Sequence, residues 1–328
     1  MFHRAATFML TAGVLAASAP CFAVEDVKFV LDWFPTAYCG FVHVGVKRGF
    51  FAEEGLNVTI DIGRGGADAV TRVATSTDDF GAAGFNSIYN AAANSPVPIK
   101  AVMSVYSKAP DSIIFKETSG IRSIRDLVGK TMATATFSSS NPVWPVVARE
   151  NGIDPAKVNL LMADNNAIGP MLASGRVDAV ISWIMSVPLY AKLSQPAKLQ
   201  TLPWSETGLT GYNWSVIASD RIIKERPEAV RHFVKAFIKS MQYFIDNPEQ
   251  AGKDMHDAAP ETLTDVNIAE IQAMLPLVKN DISAKYGIGT FDHELVKQSW
   301  IWVAKAQGLP LDKIDPEKVV DRSFLPKP

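Results

Sequence analysis

The sequence predicts an α/β protein with two lobes, each built on a mostly parallel sheet that is flanked by helices. Short strand-like runs alternate with amphipathic helical stretches, which is the pattern of βαβ crossovers. This order of elements occurs twice, on either side of residues 104–121, and long helices without intervening strands follow after about Leu202. The repeat therefore predicts two sheets, and the late helices predict that the chain returns to cover the first sheet.

The first copy of the pattern contains four predicted strands and three predicted helices. Leu56–Ile62 is a clear strand because apolar residues occupy every second position. The other elements follow from short apolar runs or from helical spacing, and Gly55 is suited to end the first helix. In chain order the elements are predicted at Val27–Trp33, Phe41–Glu54, Leu56–Ile62, Ala67–Ser76, Phe80–Gly84, Ser87–Asn94 and Ile99–Val105.

The second copy repeats strand, helix, strand, helix and strand, and long helices follow it. Its elements are predicted at Lys130–Ala135, Pro142–Asn151, Val158–Met162, Ile168–Ser174 and Val177–Trp183. Helical spacing of apolar residues then predicts core-packing helices at Glu228–Asp246, Glu261–Lys279 and Glu294–Ala306. Because these helices have no strands of their own to cover, we expect them to pack on the first lobe.

This order implies that the chain passes between the lobes twice, near residues 104–110 and near residues 212–220. A double crossing makes a hinge, and the cleft between hinged lobes is where a ligand belongs. The expected division is a signal peptide at 1–23, lobe 1 at 24–105 with 219–328, and lobe 2 at 106–218.

The N-terminus and the composition both bear on where the protein works. Arg4, the apolar run Ala5–Ala17 and the small residues up to Ala23 form the pattern of a secretory signal peptide. We expect cleavage near Ala23 and a periplasmic protein. The net charge of −2 gives no support for nucleic acid as a partner, and we expect a monomer. Cleavage leaves Cys39 as a lone cysteine, which cannot form an internal disulfide.

Catalytic, metal-binding and nucleotide-binding signatures are all incomplete in the sequence. The five histidines lack metal-ligand spacing, and no Gly-x-Ser-x-Gly nucleophile elbow occurs. Gly129–Thr131 is similar to the end of a P-loop, but Ile124 occupies the position of its first glycine. Asp68 stands where a dinucleotide-binding turn needs its third glycine. We therefore expect a binding protein without enzyme activity, cofactor or metal.

Candidate binding residues follow the carboxyl ends of the predicted strands, because open α/β sheets bind ligands there. Aromatic residues at these strand ends in both lobes are candidates for stacking on a flat ring. The alternative for the two tryptophans is that each packs in the core of its lobe. The serine run before Asn141 leads into a predicted helix, where it either caps the helix or holds an anion. The candidates are Trp33, Tyr38, Arg64, Asn86, Ser87, Ser138, Ser139, Ser140, Trp183 and Glu206.

Several blocks resemble a family of periplasmic ABC-transporter substrate-binding proteins. Leu31–Pro35 and Gly45–Val58 resemble its opening, and Ile124–Lys130, Ser174–Ala179 and Ile223–Glu228 resemble its later blocks. That family includes binders of thiamine pyrimidine precursors, with relatives for taurine, alkanesulfonates, nitrate and riboflavin. The resemblance implies a type II periplasmic-binding-protein fold, a small-molecule solute, and a membrane permease of an ABC transporter as the partner.

The resemblance also implies roles for particular residues. The Leu-Asp-Trp-Phe-Pro block points towards the pyrimidine-precursor branch, in which Trp33 would stack on a flat heterocycle and Glu206 would accept hydrogen bonds from ring amino groups. A sulfonate or carboxylate held by Arg64 and the serine run is the alternative. The same fold also serves a pyrimidine synthase that uses a histidine and a pyridoxal phosphate lysine. Those positions align with Ala83 and Ser87, which argues against that activity.

Overall fold

The computed structural model describes residues 24–326, so the expected signal peptide lies outside the described residues. Two five-stranded sheets form the centres of the two lobes. In chain order the strands are β1 (Glu25–Leu31), β2 (Leu56–Ile62), β3 (Phe80–Gly84), β4 (Ile99–Ser104), β5 (Asp111–Lys116), β6 (Thr131–Ala135), β7 (Asn159–Ala163), β8 (Ala179–Trp183), β9 (Leu199–Pro203) and β10 (Trp214–Ser219).

The two sheets have equivalent strand orders, β2-β1-β3-β10-β4 and β7-β6-β8-β5-β9. In each sheet the first three strands pair in parallel, and one strand is antiparallel to both of its neighbours. That antiparallel strand, β10 or β5, is the first strand after the chain has crossed from the other lobe. The two-lobed α/β fold is confirmed, and each sheet is mixed, with two parallel and two antiparallel strand pairs.

Helices cover both sheets, and their bounds differ in places from those expected. The predicted helix Phe41–Glu54 is two helices, because Gly49 adopts a φ of 76° that interrupts it. The helices are α1 (Gly40–Lys47), α2 (Phe50–Glu53), α3 (Gly66–Ala74), α4 (Phe85–Asn94), α5 (Trp144–Glu150), α6 (Asn165–Ala173), α7 (Val187–Ser194), α8 (Asp220–Glu225), α9 (Pro227–Asp246), α10 (Pro248–Ala258), α11 (Thr264–Val278), α12 (Asp281–Tyr286) and α13 (His293–Gln307).

Helix α9 packs on lobe 1, as the sequence predicts, whereas α11 and α13 contact both lobes. Phe233 of α9 is fully buried and stacks on Phe80 of β3, with ring centroids 4.0 Å apart. Helix α13 covers the opposite face of that sheet through Trp300, while its Trp302 joins the core of lobe 2. Helix α13 therefore contacts both lobes and braces them on the side away from α9.

The two chain crossings lie side by side. The backbone N–H of Asn213 donates to the Tyr106 carbonyl, and its side-chain Nδ2 donates to Asp111 Oδ2, each at 3.3 Å. Because β10 pairs with β3 and β4, the return to lobe 1 precedes Trp214, and the expected boundary at residue 218 falls too late in the chain. The remainder of the expected division stays a prediction.

Candidate ligand-binding site

A cavity of about 590 Å³ lies between the two lobes. Its walls come from the segments after β1, β2 and β3 in lobe 1 and after β6 and β8 in lobe 2, together with residues of α6, α7 and α11. The volume falls within the range of roughly 300–1,000 Å³ that is usual for small-molecule sites. We call this cavity the cleft, and its position agrees with the rule that places ligands at the carboxyl ends of strands.

The structure brings six of the ten candidate residues to the cleft and leaves four outside its lining. The six residues that line the cleft are Trp33, Tyr38, Ser87, Ser138, Ser139 and Trp183. The four that do not line it are Arg64, Asn86, Ser140 and Glu206. The strand-end rule therefore located the cleft, but it did not decide which side chains in each loop face it.

Three of the four candidates outside the cleft lining are either buried in the core or exposed away from the cleft. Ser140 is fully buried and donates a hydrogen bond to Asp111. The side chain of Arg64 is exposed outside the cleft. Glu206 is also exposed, because Trp204 anchors its short turn in the core of lobe 2. These placements correct the expected ligand contacts of Arg64, Ser140 and Glu206.

Asn86 has a different role from the one expected. Its Nδ2 donates to the backbone carbonyl of Ser139 at 3.3 Å. Asn86 lies in lobe 1 and Ser139 in lobe 2, so this hydrogen bond joins the two lobes beside the cleft. The expected direct ligand contact of Asn86 is replaced by a contact between lobes.

The serine run does not present a free helix N-terminus. Helix α5 begins only at Trp144, and the Trp144 amide donates to the Ser140 carbonyl at 3.0 Å. The Asn141 amide donates to Ser138, and the Asn141 side chain reaches back to the Ala135 carbonyl at 2.9 Å. These donors are occupied within the turn, but Ser138 and Ser139 line the cleft, so the expected anion site at the serine run stays a prediction.

Aromatic side chains from both lobes meet at the base of the cleft. Tyr38 lies in the short turn Ala37–Cys39 of lobe 1, and its ring packs edge-on against Trp183 of lobe 2 with centroids 5.2 Å apart. Trp33 and Trp183 are both half-buried, so part of each indole ring is free to contact a ligand. Edge-to-face and offset-stacked arrangements are those that aromatic rings prefer.

Two buried carboxyl groups lie in the same region. Asp32 is 8% exposed, it accepts a hydrogen bond from the Tyr38 hydroxyl at 3.2 Å, and burial raises its pKa to about 6. Glu270 of α11 is also 8% exposed, and burial raises its pKa to about 7. Low polarity around a carboxyl group disfavours its charged form, which is the physical cause of both shifts.

The described residues that line the cleft include no lysine, arginine or histidine. They include three acids, Asp32, Glu261 and Glu270, of which Glu261 is exposed. An anion brought into such a site would lose its hydration without gaining a cationic partner. The electrostatics of the cleft therefore favour a neutral or positively charged ligand.

Sequence reasoning missed Glu270, although its spacing carries a signal. Val266, Glu270 and Met274 are four residues apart and share the buried face of α11. An acid at such a position is unusual, because glutamate is almost never fully buried unless it is paired. Elsewhere, residues 24–326 contain no group of three or more potential metal ligands and no helix suited to crossing a bilayer.

The chain matches one family model and is similar to two proteins that are named for the small molecules they bind. A family model described as NMT1/THI5 like matches residues 36–251. The formylaminopyrimidine-binding protein of Halalkalibacterium halodurans is 26% identical over 230 residues, which cover 70% of this chain and 69% of that protein. The riboflavin-binding protein RibY of Chloroflexus aurantiacus is 24% identical over 310 residues, covering 92% of this chain and 87% of RibY.

Similar proteins also include an enzyme and a sulfonate-binding protein. A 4-amino-5-hydroxymethyl-2-methylpyrimidine phosphate synthase of Saccharomyces cerevisiae is 23% identical over 262 residues, covering 76% of each chain. The crystal structure of the periplasmic aliphatic sulphonate binding protein SsuA from Escherichia coli has a TM-score of 0.72 at 14% identity, covering 90% of this chain and 97% of SsuA. That likeness confirms the periplasmic-binding-protein fold.

Proposed function

Because this chain belongs to the NMT1/THI5-like family, we propose that it is the solute-binding component of an ABC importer. It captures a small, flat heterocyclic molecule between its lobes and delivers it to a membrane permease. The observation that carries this proposal is the cleft itself, where aromatic side chains of both lobes surround about 590 Å³ of space. A periplasmic location and a monomeric state belong to the same proposal.

The charge of the cleft supports a heterocycle over the alternative of a sulfonate or carboxylate. Arg64 is outside the lining, and the amides of Ser138, Ser140 and Asn141 donate within their own turn. Among the described lining residues only acids carry charge. The likeness to SsuA concerns the fold, and the side chains that face this cleft do not suit an anion.

The size of the cleft suits a ligand with more than one small ring. At about 590 Å³ the cleft lies well inside the range of roughly 300–1,000 Å³ that is usual for sites that bind drug-sized ligands. A single pyrimidine ring with short substituents leaves part of that space unfilled. Pyrimidines and larger heterocycles such as flavins, which the two binding relatives are named for, are therefore the first compounds to test.

The cleft also supports binding over synthase activity. The resemblance aligns Ala83 and Ser87 with the histidine and the pyridoxal phosphate lysine of the synthase; Ser87 lines the cleft and Ala83 is buried in β3, so neither position carries an amine or an imidazole. Within the described part of the lining, no amine is available to form a Schiff base with that cofactor. A serine hydroxyl does not substitute for the lysine in that chemistry.

A thermal-shift screen tests the proposed ligand class. We expect 4-amino-5-hydroxymethyl-2-methylpyrimidine or riboflavin to raise the melting temperature, and taurine to leave it unchanged. A ligand that binds only the folded state at a hundred times its Kd adds about 2.7 kcal/mol of stability, which is readily measured. A shift with taurine or an alkanesulfonate, and none with any heterocycle, would contradict the proposal.

A further inference from the structure

Glu270 occupies the point where the two lobes and helix α11 meet. Helix α11 contacts the turn Ala37–Cys39 of lobe 1, and it also contacts α7 and the turn Ile184–Ser186 of lobe 2. The Glu270 side chain is 8% exposed and lines the cleft. A ligand group that pairs with this carboxyl group would therefore contact a structure that joins both lobes.

No basic side chain of the described residues pairs with the Glu270 carboxyl group. Lys192 of the neighbouring helix α7 is engaged with Asp265, at 2.7 Å. The backbone amide of Ala37 is the one group that favours the charged form of Glu270. A buried carboxylate without a cationic partner destabilises a fold, so its position in a cleft suggests a functional reason.

The titratable groups that face Glu270 do not neutralise it either. They are Cys39 and Tyr106 on the side of lobe 1, and Tyr190 of α7 in lobe 2. Burial chiefly raises the pKa of each, and the charge of Glu270 raises it further. Asp32, the other buried acid of the cleft, adds to the negative potential. All of these groups are neutral or negative, so residues 24–326 supply no positive charge to the ionised form of Glu270.

We propose that Glu270 pairs with a cationic nitrogen of the ligand, so that the cleft selects flat aromatic molecules that carry an amine or an amidine. This proposal rests on the proposed function and narrows its ligand class. The aromatic side chains hold the ring, and the carboxylate of Glu270 accepts a charge-assisted hydrogen bond from the nitrogen. Asp32, the other buried acid of the cleft, is already engaged by the Tyr38 hydroxyl, which leaves Glu270 as the acid that selects the cation.

A matched pair of probes tests this selection. 4-Amino-5-aminomethyl-2-methylpyrimidine and its 5-hydroxymethyl analogue differ only by an ammonium group in place of a hydroxyl. At pH 8, calorimetry of the wild-type protein should show at least about tenfold tighter binding of the amine, because hydrogen bonds to charged groups are the stronger ones. In Glu270→Gln the preference should fall below about twofold, because the amide lacks the charge.

A control variant and a second pair of probes distinguish a failure of the Glu270 pairing from a failure of the pyrimidine ligand. Glu249→Gln is the matched control, since Glu249 is an exposed acid of α10 outside the described cleft lining and should keep the preference. Benzylamine and benzyl alcohol repeat the comparison with a different ring, read as thermal shifts. If the benzyl pair shows the preference and the pyrimidine pair does not bind, the pairing with Glu270 stands and the pyrimidine ligand fails. Equal binding within both pairs, or a preference that persists in Glu270→Gln, would overturn the inference.

Discussion

Replacing Trp33 by alanine should weaken ligand binding at least tenfold while the protein remains folded. Trp33 follows β1, is half-buried and lines the cleft, so it presents an indole ring to the ligand without forming the centre of the lobe core. A favourable ring contact contributes about 0.5–1.5 kcal/mol beyond the area that it buries. Together with that buried area, the loss exceeds the 1.4 kcal/mol that corresponds to tenfold in affinity.

Calorimetry on the tightest-binding heterocycle of the screen measures this effect, and circular dichroism checks the fold. Trp33→Phe should keep a large part of the affinity, because a smaller aromatic ring remains. Tyr286→Ala removes an aromatic side chain that is 38% exposed and lies outside the described lining, and it should have no effect. Unchanged affinity in Trp33→Ala would exclude Trp33 as the surface on which the ligand stacks.

The second large effect concerns stability, because two buried acids titrate in an unusual range. Burial raises the pKa of Asp32 to about 6 and the pKa of Glu270 to about 7, so the folded protein holds these protons more tightly than the unfolded chain. The stability that they contribute is present below about pH 4 and is lost as pH rises through 6 to 7. At about 1.4 kcal/mol per pKa unit, each group accounts for about 3 kcal/mol.

Urea unfolding of the ligand-free protein at pH 5 and pH 8 tests this dependence. The Asp32→Asn/Glu270→Gln double variant removes both charges. The difference in free energy of unfolding between this variant and the wild type should therefore grow by several kcal/mol, in favour of the variant, from pH 5 to pH 8. Asp111 is also buried with a raised pKa, but both proteins contain it and its contribution cancels. An equal difference in stability at pH 5 and pH 8 would show that neither carboxyl group titrates in this way.

The sequence pattern predicted the fold where the elements have a clear period. Leu56–Ile62 and Phe80–Gly84 have the bounds that were expected, and the apolar face of α9 is the core of lobe 1. Strands β5 and β10 were missed because nearly all of their residues are buried on both faces, so neither strand shows alternation. Their pairing depends on contacts with strands distant in the chain, which a local pattern does not report.

The sequence predicted which loops form the candidate site, but it did not predict which side chains of those loops face the cleft. The strand-end rule brings Trp33, Tyr38 and Trp183 to the cleft, since the order of strands and helices determines where strands end. The direction of each loop side chain depends on packing, which turns Ser140 inward to Asp111 and leaves Glu206 exposed. Glu270 lies on a helix that packs between the lobes, so its place in the cleft depends on tertiary structure.

The buried acid Glu270 lowers the stability of the ligand-free protein and at the same time favours the binding of a cationic ligand. In the ligand-free protein the unpaired carboxylate lowers stability near neutral pH, whereas a cationic ligand would relieve that penalty on binding. Differential affinity of this kind is what allows a ligand to favour one arrangement of the lobes over another. The hydrogen bond between Asn86 and Ser139 already joins the two sides of the cleft.

A crystal structure of the protein with the tightest-binding heterocycle of the screen tests the central claim most directly. We predict that the ring lies between the lobes in contact with Trp33, and that a ligand nitrogen lies about 2.7–3.2 Å from a carboxylate oxygen of Glu270. A ligand bound outside the cleft, or one whose anionic group faces Glu270, would contradict the account.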